Sequence, residues 1–198
     1  GPADHDIRDQ IVAAANEHFS QYGYSKTTVS DLAKAIGFSK AYIYKFFDSK
    51  QAIGEAICSN CLAEIVAAVE QAISVDDISS TERFRRLVRT LISTGASLFF
   101  NDRKLYDIAA LAASESWPST QHYDAQIKRF VLQIVRDGRE SGEFERKTPL
   151  DETVDSIHFA LRPFVNPLLL QYNLDFVETA PTLTSNLIPV SYTHLRAH

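Results

Sequence analysis

Residues 28–47 read TVSDLAKAIGFSKAYIYKFF, and their spacing predicts two short helices joined by a glycine turn. Thr28 has the chemistry of an N-cap, and Asp31, three residues on, can return a bond to the Thr28 amide, so the pair reads as a capping box. Val29, Leu32 and Ile36 then share one face, with Ala33 beside them small enough for a close helix crossing. Gly37 stands where the chain must leave the helix through a left-handed residue. Ser39 caps the next helix, on which Ile43 and Phe47 point one way while Ala41 and Lys45 point the other, flanked by Tyr42 and Tyr44.

A short helix of this kind fits the major groove of B-DNA, where its first residues reach base edges and the preceding helix lies across the backbone. Lys40 and Lys45 are donors for guanine or phosphate; Tyr42 and Tyr44 offer hydroxyls to phosphate or ring faces to a thymine methyl. The helix starts at Thr28 and Ser39 present free amides and a positive dipole end to phosphates. Spacing alone also fits an ordinary helical hairpin with a solvated basic face.

The surrounding residues add to this pattern. A first helix ends in FSQYGY, the segment TTVSDLAKAIGFSKAYIYKFF follows, and DSKQAI opens a long fourth helix, with Tyr44, Phe47 and Lys50 in a Tyr–x–x–Phe–x–x–Lys run. On these motifs residues 7–47 resemble the DNA-binding head of the TetR family of bacterial transcriptional regulators. The resemblance implies an all-α fold: a three-helix head joined by a long helix to a larger ligand-binding and dimerisation bundle. It implies that Thr28, Ser39, Tyr44 and Lys50 hold phosphates, and that Lys40, Ala41, Tyr42 and Lys45 lie over bases. Ala41 stands where the family often has glycine, and Tyr42 is bulkier than the usual small residue, so the operator sequence does not carry over.

With 198 residues and 45% hydrophobic content, the chain is long enough for a sizeable core. Its net charge of −5 is unevenly spread. Residues 24–50 carry five lysines against Asp31 and Asp48, a net of +3, whereas residues 51–198 carry 14 Lys/Arg against 19 Asp/Glu, a net of −5. The expected division is a head over residues 1–48, a body over 49–188, and a non-native or disordered tail over 189–198, where PVSYTHLRAH resembles translated vector sequence. Gly1 and Pro2 read as a protease-cleavage scar. No apolar run is expected to approach the roughly 20 residues of a membrane span, and no leader is visible, so a cytoplasmic protein without a membrane partner is expected.

Cys58 and Cys61 form a CxxC inside the predicted fourth helix. Small buried hydrophobes, a thiol sensor, a redox pair and half a zinc site are the alternatives. Cys58 continues the stripe Leu62, Ile65, Val69, Ile73, which favours burial; no second CxxC or nearby His completes a zinc site, and the position deep in a helix argues against a thiol enzyme. His18 reads as a half-buried edge of the head core. No catalytic constellation and no cofactor or metal site is visible, so no enzyme is expected.

In the body, helices are expected over about 81–100, 104–116, 119–141 and 150–172, the last kinked by Pro163 and Pro167. Arg83, Arg85, Arg86 and Arg89 read as a solvated outward face, with a second DNA patch as the alternative. The last two helices carry the apolar stripes through which, by the looser resemblance of this part to the same family, two subunits would pair. Phe99, Tyr106, Glu115, Trp117, Tyr123, His158 and Arg162 are candidate lining of a cavity for an unidentified, mostly apolar effector. The function expected is a homodimeric repressor on palindromic double-stranded DNA, released by that small molecule; action through a protein partner, or a thiol response, are the alternatives.

Overall fold

The computed structural model describes residues 1–191; residues 192–198, most of the segment assigned to the tail, lie outside the described residues. Ten α-helices follow in order among them: α1 (Pro2–Tyr22), α2 (Val29–Ile36), α3 (Lys40–Ile43), α4 (Lys50–Ile73), α5 (Ser80–Asn101), α6 (Arg103–Ser114), α7 (Pro118–Glu140), α8 (Leu150–Val165), α9 (Pro167–Leu170) and α10 (Ala180–Ser185). The fold is all-α, and the one β-bridge among the described residues joins Phe144 to Val190.

Three helices and the start of a fourth build the head. Ile11, Ala15 and Phe19 of α1 meet Val29, Leu32 and Ala33 of α2, Ile43 and Phe47 around α3, and Ile53 of α4, all buried. Each large side chain here contributes about 1.5–3 kcal/mol by leaving water. Ser49 caps α4 by accepting from the Ala52 amide at 3.1 Å, and the helix then runs without interruption out of the head. In the body α4 is the central helix, packed against α5, α6 and α7.

That helix corrects one expectation. Lys50–Ile73 is long and apolar enough, by length and composition, to cross a membrane, where no such segment was expected. Its apolar residues, Ile57, Leu62, Ile65 and Val69 among them, are instead buried against neighbouring helices.

Two buried-side connections hold the body helices by their first turns. Glu143, from the loop after α7, accepts from the amides of Ser80 at 2.8 Å and Thr81 at 3.0 Å, capping α5 from outside. Glu55 of α4 does the same for α7, accepting from the Ser119 amide at 3.0 Å and its hydroxyl at 2.6 Å. Negative charge at a helix start is stabilised by the orphan amides and the dipole.

The last long helix departs from expectation. It ends at Val165, Asn166 is extended (φ −73°, ψ 117°), and Pro167 starts the separate α9. The residue before a proline is pushed out of the helical region, so Pro167 breaks the helix. Pro163, in its final turn, is accommodated inside α8. No element was expected beyond 172, yet a 3₁₀ turn (Leu174–Phe176) and α10 follow, α10 packing on α5. Residues 189–191, assigned to the tail, pair with the loop after α7: the Glu145 amide donates to the Pro189 carbonyl at 3.1 Å and the Ser191 amide to that of Glu143 at 2.8 Å.

The arginines of α5 are not a free solvated face. Arg83 donates to the Ile73 carbonyl, Arg85 to the Ser185 hydroxyl at 3.0 Å, and Arg86 pairs with Glu82 at 3.4 Å. Arg83 ties α5 to α4 and Arg85 ties it to α10, while the Arg86 pair lies within α5; only Arg89 of the four is exposed.

Cys58 and Cys61 are free and buried. Burial pushes the Cys58 thiol up to about 11, and burial with the neighbouring Cys58 pushes Cys61 up to about 12. Both are therefore neutral thiols at physiological pH, the opposite of what a sensing or catalytic thiolate needs. A thiol reagent at pH 8 is expected to label neither in the native protein and both after denaturation. Because both folded values lie above the unfolded one of about 8.5, their stabilising contribution is complete below that pH and fades as pH rises toward 11–12. Fast native labelling would contradict this.

Candidate nucleic-acid interface and ligand cleft

The capping box forms as its sequence requires: Asp31 donates its amide to the Thr28 hydroxyl at 3.1 Å, and Thr28 donates its amide to the Asp31 carboxylate at 2.8 Å. The bond from the Thr28 amide is the main reason the Asp31 carboxyl lies below its ordinary range. Gly37 adopts the left-handed conformation (φ 84°, ψ 24°), and its amide and that of Phe38 both close on the Ala33 carbonyl at 2.9 Å. Ser39 then caps α3 by accepting from the Tyr42 amide at 3.0 Å. The turn between α2 and α3 is thus held by three local bonds.

With Ile43 and Phe47 buried, α3 presents Lys40, Ala41 and Lys45 to solvent, with Tyr44 exposed beside them and Thr28 and Ser39 exposed at the two helix starts. Tyr42 is half-buried, its ring edge-on to Phe38 at 5.0 Å and to Phe46 at 5.3 Å. Lys45 lies 5.7 Å from the Tyr42 ring and Lys40 5.9 Å from the Tyr44 ring, so each ammonium is loosely tethered over an aromatic face. Seven of the eight residues expected to touch DNA share this surface.

Lys50 is placed differently. Its ammonium donates to the Tyr24 carbonyl at 3.0 Å and sits 4.2 Å from the Tyr24 ring, where it holds the loop before α2 against α4. Lys50→Ala is expected to destabilise the head by about 2–4 kcal/mol, the sum of one charged hydrogen bond and one cation–π contact, as read by thermal denaturation. Arg8 was missed. It donates to the Phe46 carbonyl at 2.9 Å and lies 4.2 Å over the Phe47 ring, fixing the end of α3 from 38 residues away.

The body carries an open cleft of about 460 Å³ between the end of α6, the first turns of α7 and the second half of α8. Of the seven candidates, Tyr123, His158 and Arg162 line it. His158 Nε2 is 3.0 Å from the Asp124 carboxylate, while its Nδ1 is buried without a hydrogen-bond partner. Burial holds the Tyr123 phenol well above its ordinary value. Asp124, Asp155 and Phe159, also on the wall, were not singled out, although 155, 158, 159 and 162 share one helical face.

The other four lie elsewhere. Phe99 is stacked edge-on to Tyr106 at 5.2 Å beneath Arg103, and the buried Tyr106 hydroxyl donates to the Pro167 carbonyl. Glu115 is exposed and accepts from the Trp117 indole at 2.9 Å. Trp117 is buried at the junction of head and body, edge-on to Tyr24 at 5.8 Å and against Gly54. Burial, then the Glu115 and Glu55 carboxylates, raise the Tyr24 phenol above its ordinary value at that junction.

A capped helix–turn–helix with a basic, aromatic outer face, rigidly joined to a helical body with a cleft, defines a DNA-binding transcriptional regulator. Residues 11–57 match the family model for bacterial regulatory proteins of the tetR family, and residues 80–178 match that for the tetracyclin repressor-like C-terminal domain. The chain belongs to the TetR family, whose members are DNA-binding transcription factors and not enzymes. It is 40% identical over 55 residues to the biofilm operon icaADBC HTH-type negative transcriptional regulator IcaR of Staphylococcus aureus (strain Newman), covering 28% of this chain and 30% of that one. The chain thus spans under a third of that curated relative. It is 22% identical over 144 residues to the HTH-type transcriptional regulator YhgD of Bacillus subtilis (strain 168), covering 73% of this chain and 75% of that one. The solved fatty acid degradation regulator FadR from Bacillus halodurans shares the fold, with a TM-score of 0.65 at 19% identity over 89% of this chain and 93% of that one.

Proposed function

We propose that this regulator is a homodimeric cytoplasmic repressor that holds a palindromic operator with two heads and releases it when a small molecule occupies the body cleft. The observation that carries the reading is a continuous mechanical path. Thr120, Gln121 and Asp124 of α7 line the cleft, Ser119 beside them is gripped by Glu55 of α4, and α4 begins inside the head. A displacement of the first turn of α7 is therefore passed to the head through one helix. Repression is supported by the likeness of the head to the negative regulator IcaR. The effector must favour the non-binding arrangement by a few kcal/mol, since equal affinity for both states shifts nothing.

Selection of bound sequences from a random DNA pool is expected to return a palindrome with half-sites one or more helical turns apart. Lys45→Ala should weaken binding to that operator by about 1–3 kcal/mol and relax preference at one position of each half-site. Enrichment of unrelated sequences, or a Lys45→Ala affinity equal to that of the parent, would count against groove reading. A ligand that binds the cleft while operator affinity stays constant would favour action through a protein partner.

A further inference from the structure

We propose that the cleft takes an amphipathic carboxylate, with Arg162 as the residue that pairs with its charged end; this rests on the reading of the cleft as the effector site. The cleft wall holds two carboxylates and one guanidinium. Asp124 is hydrogen-bonded to His158 at 3.0 Å, and Asp155 is paired with Lys128 at 2.5 Å. Arg162 makes no ion pair or side-chain hydrogen bond among the described residues. Its place in the last turn of α8 suits the helix dipole but leaves all its N–H donors to solvent.

The three ligand charges therefore meet different receptions. A cation would compete with His158 and Lys128 for carboxylates already matched. A neutral apolar molecule would remove water from Arg162 and give it nothing in return, which is unfavourable for any charge without a partner. A carboxylate finds a planar fork of donors of matching geometry. The remaining wall suits an apolar remainder: Tyr123, Phe159, Val165, Pro167 and Ala113 lie on it. The volume, about 460 Å³, falls within the range of small-molecule sites. The mostly apolar effector expected from the aromatic content thus acquires a charged end.

The test uses the whole 198-residue chain and matched probes: decanoate and phenylpropionate, their primary amides, and the corresponding amines, titrated calorimetrically and against labelled operator. At least one acid should bind the parent protein about tenfold or more tighter than its amide; Arg162→Gln should lose about 10–100-fold for the acid and little for the amide, with Arg162→Lys between them. Arg162 is exposed, so both variants should keep the parent melting temperature; if Arg162→Gln does not, Arg162→Lys carries the comparison. Amides binding as tightly as acids, amines binding best, acid binding undiminished in both variants, or no acid binding at millimolar concentration would each overturn the assignment. Acids that bind through Arg162 yet leave the operator occupied would sustain the assignment and refute ligand-driven release.

Discussion

Phe159→Asp is expected to leave a folded monomer whose affinity for a two-site operator is at least about 100-fold lower than that of the parent. The antiparallel helices α7 and α8 bury their inner stripes, Ile127, Val131 and Ile134 against Val154, Ile157 and Leu161. On α8, Phe159 stands at the rim of the cleft and is left 75% exposed. A phenylalanine in that position on a long helix is a natural contact for the same surface of a second copy, since a two-fold interface buries each patch twice. Aspartate there would bury one unpaired carboxylate from each copy in such an interface, at a cost of about 2–5 kcal/mol. Because the residue is exposed in the single chain, its replacement should spare the fold, which circular dichroism can verify. Light scattering that still shows a dimer, with operator affinity unchanged, would remove α8 from the interface.

Trp117→Ala should lower stability by about 3–5 kcal/mol and the melting temperature by roughly 10 °C, and should weaken operator binding even without any effector. Trp117 is 3% exposed, and its indole closes an aromatic row with Tyr24 at 5.8 Å and, beyond it, Phe19 at 5.3 Å from Tyr24. The Glu115 carboxylate also loses its donor, the indole N–H. The row spans the boundary between head and body, so its loss creates a cavity where the two halves are held in register. The single tryptophan thus offers a fluorescence signal for motion at that boundary. An unaltered melting curve would show that the junction does not depend on it.

Much of the head was legible in the sequence because its geometry is set by residues three or four apart. The Thr28–Asp31 box, the Gly37 turn and the Ser39 cap are all local. Lys50 and Arg8 were not legible in the same way: their partners, Tyr24 and Phe46, are 26 and 38 residues away. In the body the long helices follow from periodicity, whereas the split at Asn166 needed the backbone preference before Pro167 to outweigh a continuing apolar pattern. The cleft was the least legible part. Aromatic content pointed to Phe99, Tyr106 and Trp117, but whether an aromatic side chain faces a cavity or fills the core depends on how three helices meet.

The packing around Gly54 limits how this regulator can be recombined with its relatives. A β-carbon at that position would stand 2.9 Å from the Tyr24 ring and 3.3 Å from Trp117. Chimeras that join this head to a foreign body at residue 48 would inherit Tyr24 but not the glycine and tryptophan that receive it. A functional hybrid should instead transplant Tyr24, Gly54 and Trp117 as one unit, so that the module boundary relevant to engineering follows these three side chains and not the chain's order along the sequence.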